Sequence, residues 1–148
     1  MATLPKFLIV DGHSVIFAWP ELRAMHNRKT FNARSELVKI LTGYQDHSGV
    51  RVVAVFDGQG KTASNESQLG GIQVFYSASG QTADTVIERL VAKYVDRCDI
   101  LVATSDHLEQ ETIYALGAQW ISAEELHTLV SESEKEFSRF LKDYQKKR

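Results

Sequence analysis

Four aspartates and one glutamate carry the chemistry this chain could perform: Asp11, Asp57, Asp84, Asp106 and Glu88. Three of the five follow the same kind of text. Phe7-Leu8-Ile9-Val10 ends in Asp11-Gly12, and Val52-Val53-Ala54-Val55-Phe56 ends in Asp57-Gly58. Ile100-Leu101-Val102-Ala103 leads through Thr104-Ser105 to Asp106. Short apolar runs closed by turn signals read as buried strands of a parallel sheet. Parallel strands would bring all three acids to one carboxyl edge, where open α/β sheets place their ligands. Asp84 and Glu88 stand four apart on the strongest helix pattern in the chain, so their side chains meet at a cost of roughly a few tenths of a kcal/mol. A cation between them would reverse that sign.

Carboxylates crowded in a cleft repel, and the arrangement survives through raised pKa values or a bound cation. An all-oxygen donor set suits Mg²⁺ or Mn²⁺ rather than zinc. An ion so held orients water and neutralises charge on a phosphate undergoing hydrolysis. Each acid also has a plainer reading. Asp11 and Asp106 could cap the helices that follow, and Asp57 could be a turn residue. Asp84 could favour its helix dipole and Glu88 a solvated face. Their joint occurrence is what favours a shared site. His13 and His107 lack metal-ligand spacing with another histidine and read either as groups supporting the acids from behind or as surface groups. No phosphate-binding glycine loop and no nucleophile elbow is present.

The elements that would position these acids alternate. Val15 to Trp19, closed by Pro20, reads as a short apolar helix, and Glu21 to Arg34 as a basic loop. Leu37, Val38, Leu41 and Tyr44 recur at helical spacing behind Asn32 as cap, with Ser48-Gly49 as stop. Asp57 to Gly71 reads as a mobile polar loop and Ile72 to Tyr76 as an edge strand. Ala83, Val86, Ile87, Leu90, Val91, Tyr94 and Val95 form an unbroken 3,4 pattern capped by Thr82. After the strand Asp99 to Ala103, Ser105 is the expected cap of a helix burying Leu108, Thr112, Ile113 and Leu116. Ala118 to Ile121 is a last short strand, and Ser122-Ala123-Glu124-Glu125 matches a capping box. A long carboxy-terminal helix follows, with a break expected near Ser131 and Ser133. The pattern predicts an α/β fold with a mostly parallel sheet, in one domain over residues 1–148 with 122–148 as a helical segment.

With 43% hydrophobic and 24% charged residues, the composition lies near globular averages. No window reaches the length of a membrane span, and one cysteine, Cys98, suits a reducing compartment. A cytoplasmic protein is the expectation. The net charge of −2 supplies no global field for nucleic acid, yet Arg23, Arg28, Lys29 and Arg34 gather in one segment. An ordinary solvated loop is the alternative. Phe137, Phe140, Leu141 and Tyr144 on the last helix are expected to cover the domain's own core, with self-association into a homodimer or docking as the rival.

In order along the chain, several pieces resemble the NYN domains of the PIN-like nuclease superfamily, in particular the YacP-like branch. They are Leu8-Ile9-Val10-Asp11-Gly12, Ala18-Trp19-Pro20, Val55-Phe56-Asp57 and Thr82-Ala83-Asp84 with Ile87-Glu88. Val15-Ile16 after the first piece, Val102-Ala103-Thr104-Ser105-Asp106 with Glu109-Gln110, and Gly117-Ala118 with Ser122-Ala123-Glu124-Glu125-Leu126 complete the set. The resemblance implies a Rossmann-like three-layer domain of about five strands in the order 3-2-1-4-5. It further implies a metal-dependent endoribonuclease with Asp11, Asp84 and Asp106 as catalytic metal ligands and Asp57 and Glu88 in support. RNA would be the partner, in ribosome-associated fashion for some relatives. Ser14, Arg23, Arg28, Lys29, Arg34 and Lys61 are the residues expected to meet it. The family usually has Asp-Gly-Tyr-Asn where this chain has Asp11-Gly12-His13-Ser14. Ser14 is shorter and offers a single donor, so a non-catalytic RNA-binding module on the same fold is the alternative. A phosphatase of small substrates is a third, although it lacks the usual Asp-x-Asp pair.

Overall fold

A computed structural model describes residues 3–58, 64–67 and 71–146. Its strands are β1 (Lys6–Asp11), β2 (Arg51–Phe56), β3 (Ser64–Ser67), β4 (Gln73–Tyr76), β5 (Asp99–Ala103) and β6 (Gln119–Ile121). They form one sheet in the order β3-β4-β2-β1-β5-β6. Every pairing is parallel except the antiparallel edge pair β3–β4. Taken alone, the five parallel strands stand in the order 3-2-1-4-5. β1 is central, with Val10 beside Ala54 on one flank and Ala103 on the other.

The helices are α1 (Gly12–Ala18), α2 (Pro20–Arg28), α3 (Thr30–Ser48), α4 (Ala83–Tyr94), α5 (His107–Ala115) and α6 (Ala123–Lys146). They cover both faces, so the central strands are apolar between their ends, as in residues 7–10, 52–56 and 100–103. Alternation along β1 sends Leu8 and Val10 to one core with Trp19, Leu37, Leu41 and Leu126. Ile9 joins the opposite core with Val55, Val86, Ile87 and Ile113. The indole Nε1–H of buried Trp19 donates to the Ala123 carbonyl at 2.8 Å, joining the α1–α2 junction to the start of α6.

The structure corrects several expectations. The basic segment is helical, because Pro20, with its fixed φ, opens α2 at a position where its missing N–H costs nothing. α3 begins at Thr30, so Asn32 lies inside its first turn rather than at its cap. Gly49 does end α3, in the left-handed conformation at φ 75. Within the expected loop, Ser64–Ser67 pair as a strand, which makes β4 internal rather than an edge. Leu108 is 75% exposed, and the buried side of α5 begins at Glu109 and Gln110 instead. α6 runs unbroken for 24 residues, since a serine on an exposed helix side loses little. Ser122 and Glu125 do form the reciprocal box, with backbone-to-side-chain distances of 3.1 and 3.2 Å. Leu126 and Val130 are buried, whereas Phe137, Phe140, Leu141 and Tyr144 are 40–63% exposed, so only the first half of α6 covers the core. Among the described residues, no helix is long and apolar enough to cross a membrane.

Candidate active site

The carboxyl ends of β1, β2 and β5 meet the first turns of α1, α4 and α5, and acids collect there. Asp11 is 6% exposed. Its Oδ2 accepts from the hydroxyls of Ser14 at 2.8 Å and Thr104 at 3.0 Å. Thr104 is fully buried at the end of β5, so it holds the β1 and β5 acid positions in one frame. Ser14 also accepts from the Ser105 N–H at 3.4 Å. Its hydroxyl is therefore spent on orienting Asp11 and the β5–α5 turn. Gly12 is required by close approach: a Cβ there would collide with the buried Phe56 ring.

Asp57 serves the next element. Its Oδ1 accepts from the Ala83 N–H at 2.7 Å and so fixes the start of α4. Thr82 caps the same helix by accepting from the Thr85 N–H. Asp84 and Glu88 project from this anchored end and are half-buried. Asp106 is exposed and caps α5, its Oδ1 accepting from the N–H groups of Leu108 at 3.0 Å and Glu109 at 3.4 Å. The expected cap, Ser105, is turned away and instead accepts from the Ala123 N–H at 3.2 Å.

These groups lie near enough to feel one another's charge. Burial pushes the Asp84 carboxyl up to about 6, aided by the negative charges of Asp11, Asp106, Glu88 and Asp57. A sixth acid was not among the expected site residues. Glu109 is 3% exposed, and its Oε1 is buried without a hydrogen-bond partner. Desolvation raises it to about 8, with Asp84, Glu88, Asp11 and Asp106 adding to the shift. It is mostly neutral at pH 7. The sequence did carry a signal: Glu109 occupies the stripe shared with Ile113 and Leu116, where helical periodicity calls for an apolar side chain.

Of the expected RNA contacts, Arg34 is half-buried at the site's rim. Its guanidinium donates to the Asp57 carbonyl at 3.1 Å and lies 5.3 Å from the Phe56 ring centre. Arg23, Arg28 and Lys29 are exposed on α2 and just beyond it, and no hydrogen bond or ion pair joins them to the acids among the described residues. Lys61 lies outside the described residues. As the side chains stand, no three His, Cys, Asp or Glu side chains among the described residues are grouped to hold a metal ion. The donor chemistry nevertheless fits a hard divalent cation. All the groups are carboxylates, they repel one another, and one of them has an orphaned buried oxygen.

Comparison with known proteins agrees with this architecture. A family profile described as the YacP-like NYN domain matches residues 8–148. The chain is 34% identical over 134 residues to a Bacillus subtilis (strain 168) protein described as uncharacterized protein YacP, covering 89% of this chain and 79% of that one. Two crystal structures of Rae1 (YacP) from Bacillus subtilis, one of them a W164L mutant, are 32% identical to it. The mutant superimposes with a TM-score of 0.81 over 95% of this chain and 83% of its own, and the other with 0.79 over 96% and 83%. The nuclease-like sheet, the acids at its carboxyl edge and the match over nearly the whole length lead to one conclusion: this chain belongs to the YacP-like NYN domain family.

Proposed function

We propose that the protein is an endoribonuclease that hydrolyses RNA phosphodiester bonds with Mg²⁺ or Mn²⁺. The observation that carries this reading is the gathering of six carboxyl groups at one sheet edge, with Asp84 and Glu109 pushed toward or past neutrality. Such repulsion is costly in a structural role and useful around a cation. Asp11, Asp84 and Asp106 would hold the ion, with Asp57, Glu88 and Glu109 nearby, after the side chains turn toward it. The ion would supply an activated water and charge neutralisation at the phosphate. Ser14 and Thr104 keep Asp11 aimed, Asp57 keeps α4 in place, and Arg34 offers positive charge to the strand that enters.

The test is the pair Asp84→Asn and Asp106→Asn in one chain. Cleavage of RNA by the folded, contaminant-free double variant should drop by roughly a hundredfold or more, and Mn²⁺ should no longer raise its melting temperature. Undiminished metal-dependent cleavage would refute the assignment. A non-catalytic RNA-binding or ribosome-associated module is the second reading, favoured by the lack of three ready-grouped ligands among the described residues. Ion-independent binding with no cleavage across a broad RNA panel would decide for it.

A further inference from the structure

Three rings on α1 and α2, His13, Phe17 and His26, touch one another close to the acids in sequence. His13 and Phe17 lie one turn apart on α1, with ring centres 4.5 Å apart. His26, on α2, also meets Phe17, at 4.7 Å in an edge-on arrangement. Phe17 is 40% exposed although the neighbouring Val15 and Ile16 are buried, so part of its ring faces solvent while touching two imidazoles. The row begins two residues after Asp11. It leads into a small cleft lined by His13, Ile16, His26, Arg34, Phe56 and Asp57, which shares Asp57 with the acid site. The Nδ1 of His26 is buried and has no hydrogen-bond partner. Arg34 closes the far side, over the Phe56 ring.

We propose that this row is a stacking platform for an unpaired base of an RNA strand whose backbone crosses the acid site. The proposal deepens the ribonuclease reading and rests on it for the choice of RNA. Base faces stack on aromatic side chains regardless of sequence. In a duplex those faces are already covered, so an exposed ring at the rim selects single-stranded segments. The charges agree. Arg23, Arg28 and Lys29 are exposed on or just beyond α2, the helix that supplies His26, and suit a phosphate backbone. The cleft, about 10 Å³, is too small to admit a base, so the base would lie on the exposed Phe17 ring, with the Arg34 guanidinium beyond the cleft. Packing explains Phe17 less well, since an interior role would have buried it.

The experiment uses a short oligoribonucleotide carrying one 2-aminopurine, either single-stranded or in a duplex, with EDTA present so that nothing is cut. The single strand should bind the wild-type chain and its fluorescence should be quenched; the duplex should show neither. Phe17→Ala should weaken binding by about fivefold or more and abolish the quench, whereas Phe17→Tyr should retain both. His13→Ala should give an intermediate loss, with thermal melts verifying that each variant is folded. Equal quenching by Phe17→Ala, equal binding of the duplex, or no binding by the wild type would overturn the platform. The two readings fail separately. Cleavage by Phe17→Ala with an unchanged KM sinks the platform and leaves the nuclease standing. Quenching in EDTA without cleavage in Mn²⁺ sinks the nuclease and leaves the platform.

Discussion

Glu109 changes the expected acid–base behaviour of the site. Both it and Asp84 hold protons that ordinary carboxyls, with values of 4.5 and 3.8, would have lost. Below that ordinary range, folded and unfolded chains are protonated alike at these positions, and neither group affects stability. As pH rises, the unfolded chain releases its protons first, so folding carries a growing penalty until the folded groups ionise too. In metal-free buffer, stability should therefore fall from about pH 4 to about 8 and level off above. Glu109→Gln should flatten most of that decline and raise the melting temperature at pH 8, worth on the order of 1 kcal/mol or more. Chemical denaturation across this pH range checks it, and an unchanged slope in the variant would contradict the buried, neutral acid. Glu109 was hard to read from the sequence because a glutamate on a short helix is ordinarily solvated. Only its place on the Ile113 stripe marked it, and Leu108, one residue earlier, invited the wrong face. Asp11, Asp57 and Asp106 were readable because each closes an apolar run.

α4 is held at its start by Asp57 in addition to the burial of its own apolar face. Asp57→Ala removes the acceptor for the Ala83 N–H and should cost about 1 kcal/mol in stability. Asp57→Asn keeps an oxygen there and should be nearly as stable as the wild type while still lowering metal-dependent activity. Urea melts and cleavage rates on the two variants separate the cap from the charge. Strands β1, β2 and β5 were legible because burial on both faces leaves them continuously apolar. α2 was not, since Leu22 is its only fully buried side chain and its basic residues look like those of a loop. β3 was hidden for a similar reason: Ser-Asn-Glu-Ser pairs through its backbone, and composition does not show that pairing. The capping box at Ser122 was legible because two side chains and two N–H groups satisfy one another locally.

In the molecule as a whole, charge and apolar surface are unevenly spread. Acids occupy the carboxyl edge of the sheet, cations gather on and after α2, and the far half of α6 leaves aromatic side chains in solvent. Phe137 stacks on His47 at 4.3 Å, but Phe140 and Tyr144 are at least 60% exposed. Deleting residues 138–148 should therefore move the melting temperature by no more than a few degrees, whereas ending the chain before Leu126 removes buried side chains and should abolish cooperative unfolding. A large loss of stability from the shorter deletion would show that those turns pack more tightly than their exposure indicates. The apolar spacing of α6 was readable on either side of Ser131 and Ser133, where a break was expected and the helix has none. Which half meets the core was not, because the same pattern serves a buried helix and a projecting one.

The bond from Trp19 to Ala123 offers a built-in gauge. The chain has two tryptophans, and only Trp19 is shielded from water, the other being 39% exposed. With Trp120→Phe, the remaining emission comes from an indole that clasps segments 104 positions apart. A shift of that emission to the red would then announce the moment α6 peels away, before the sheet itself dissolves.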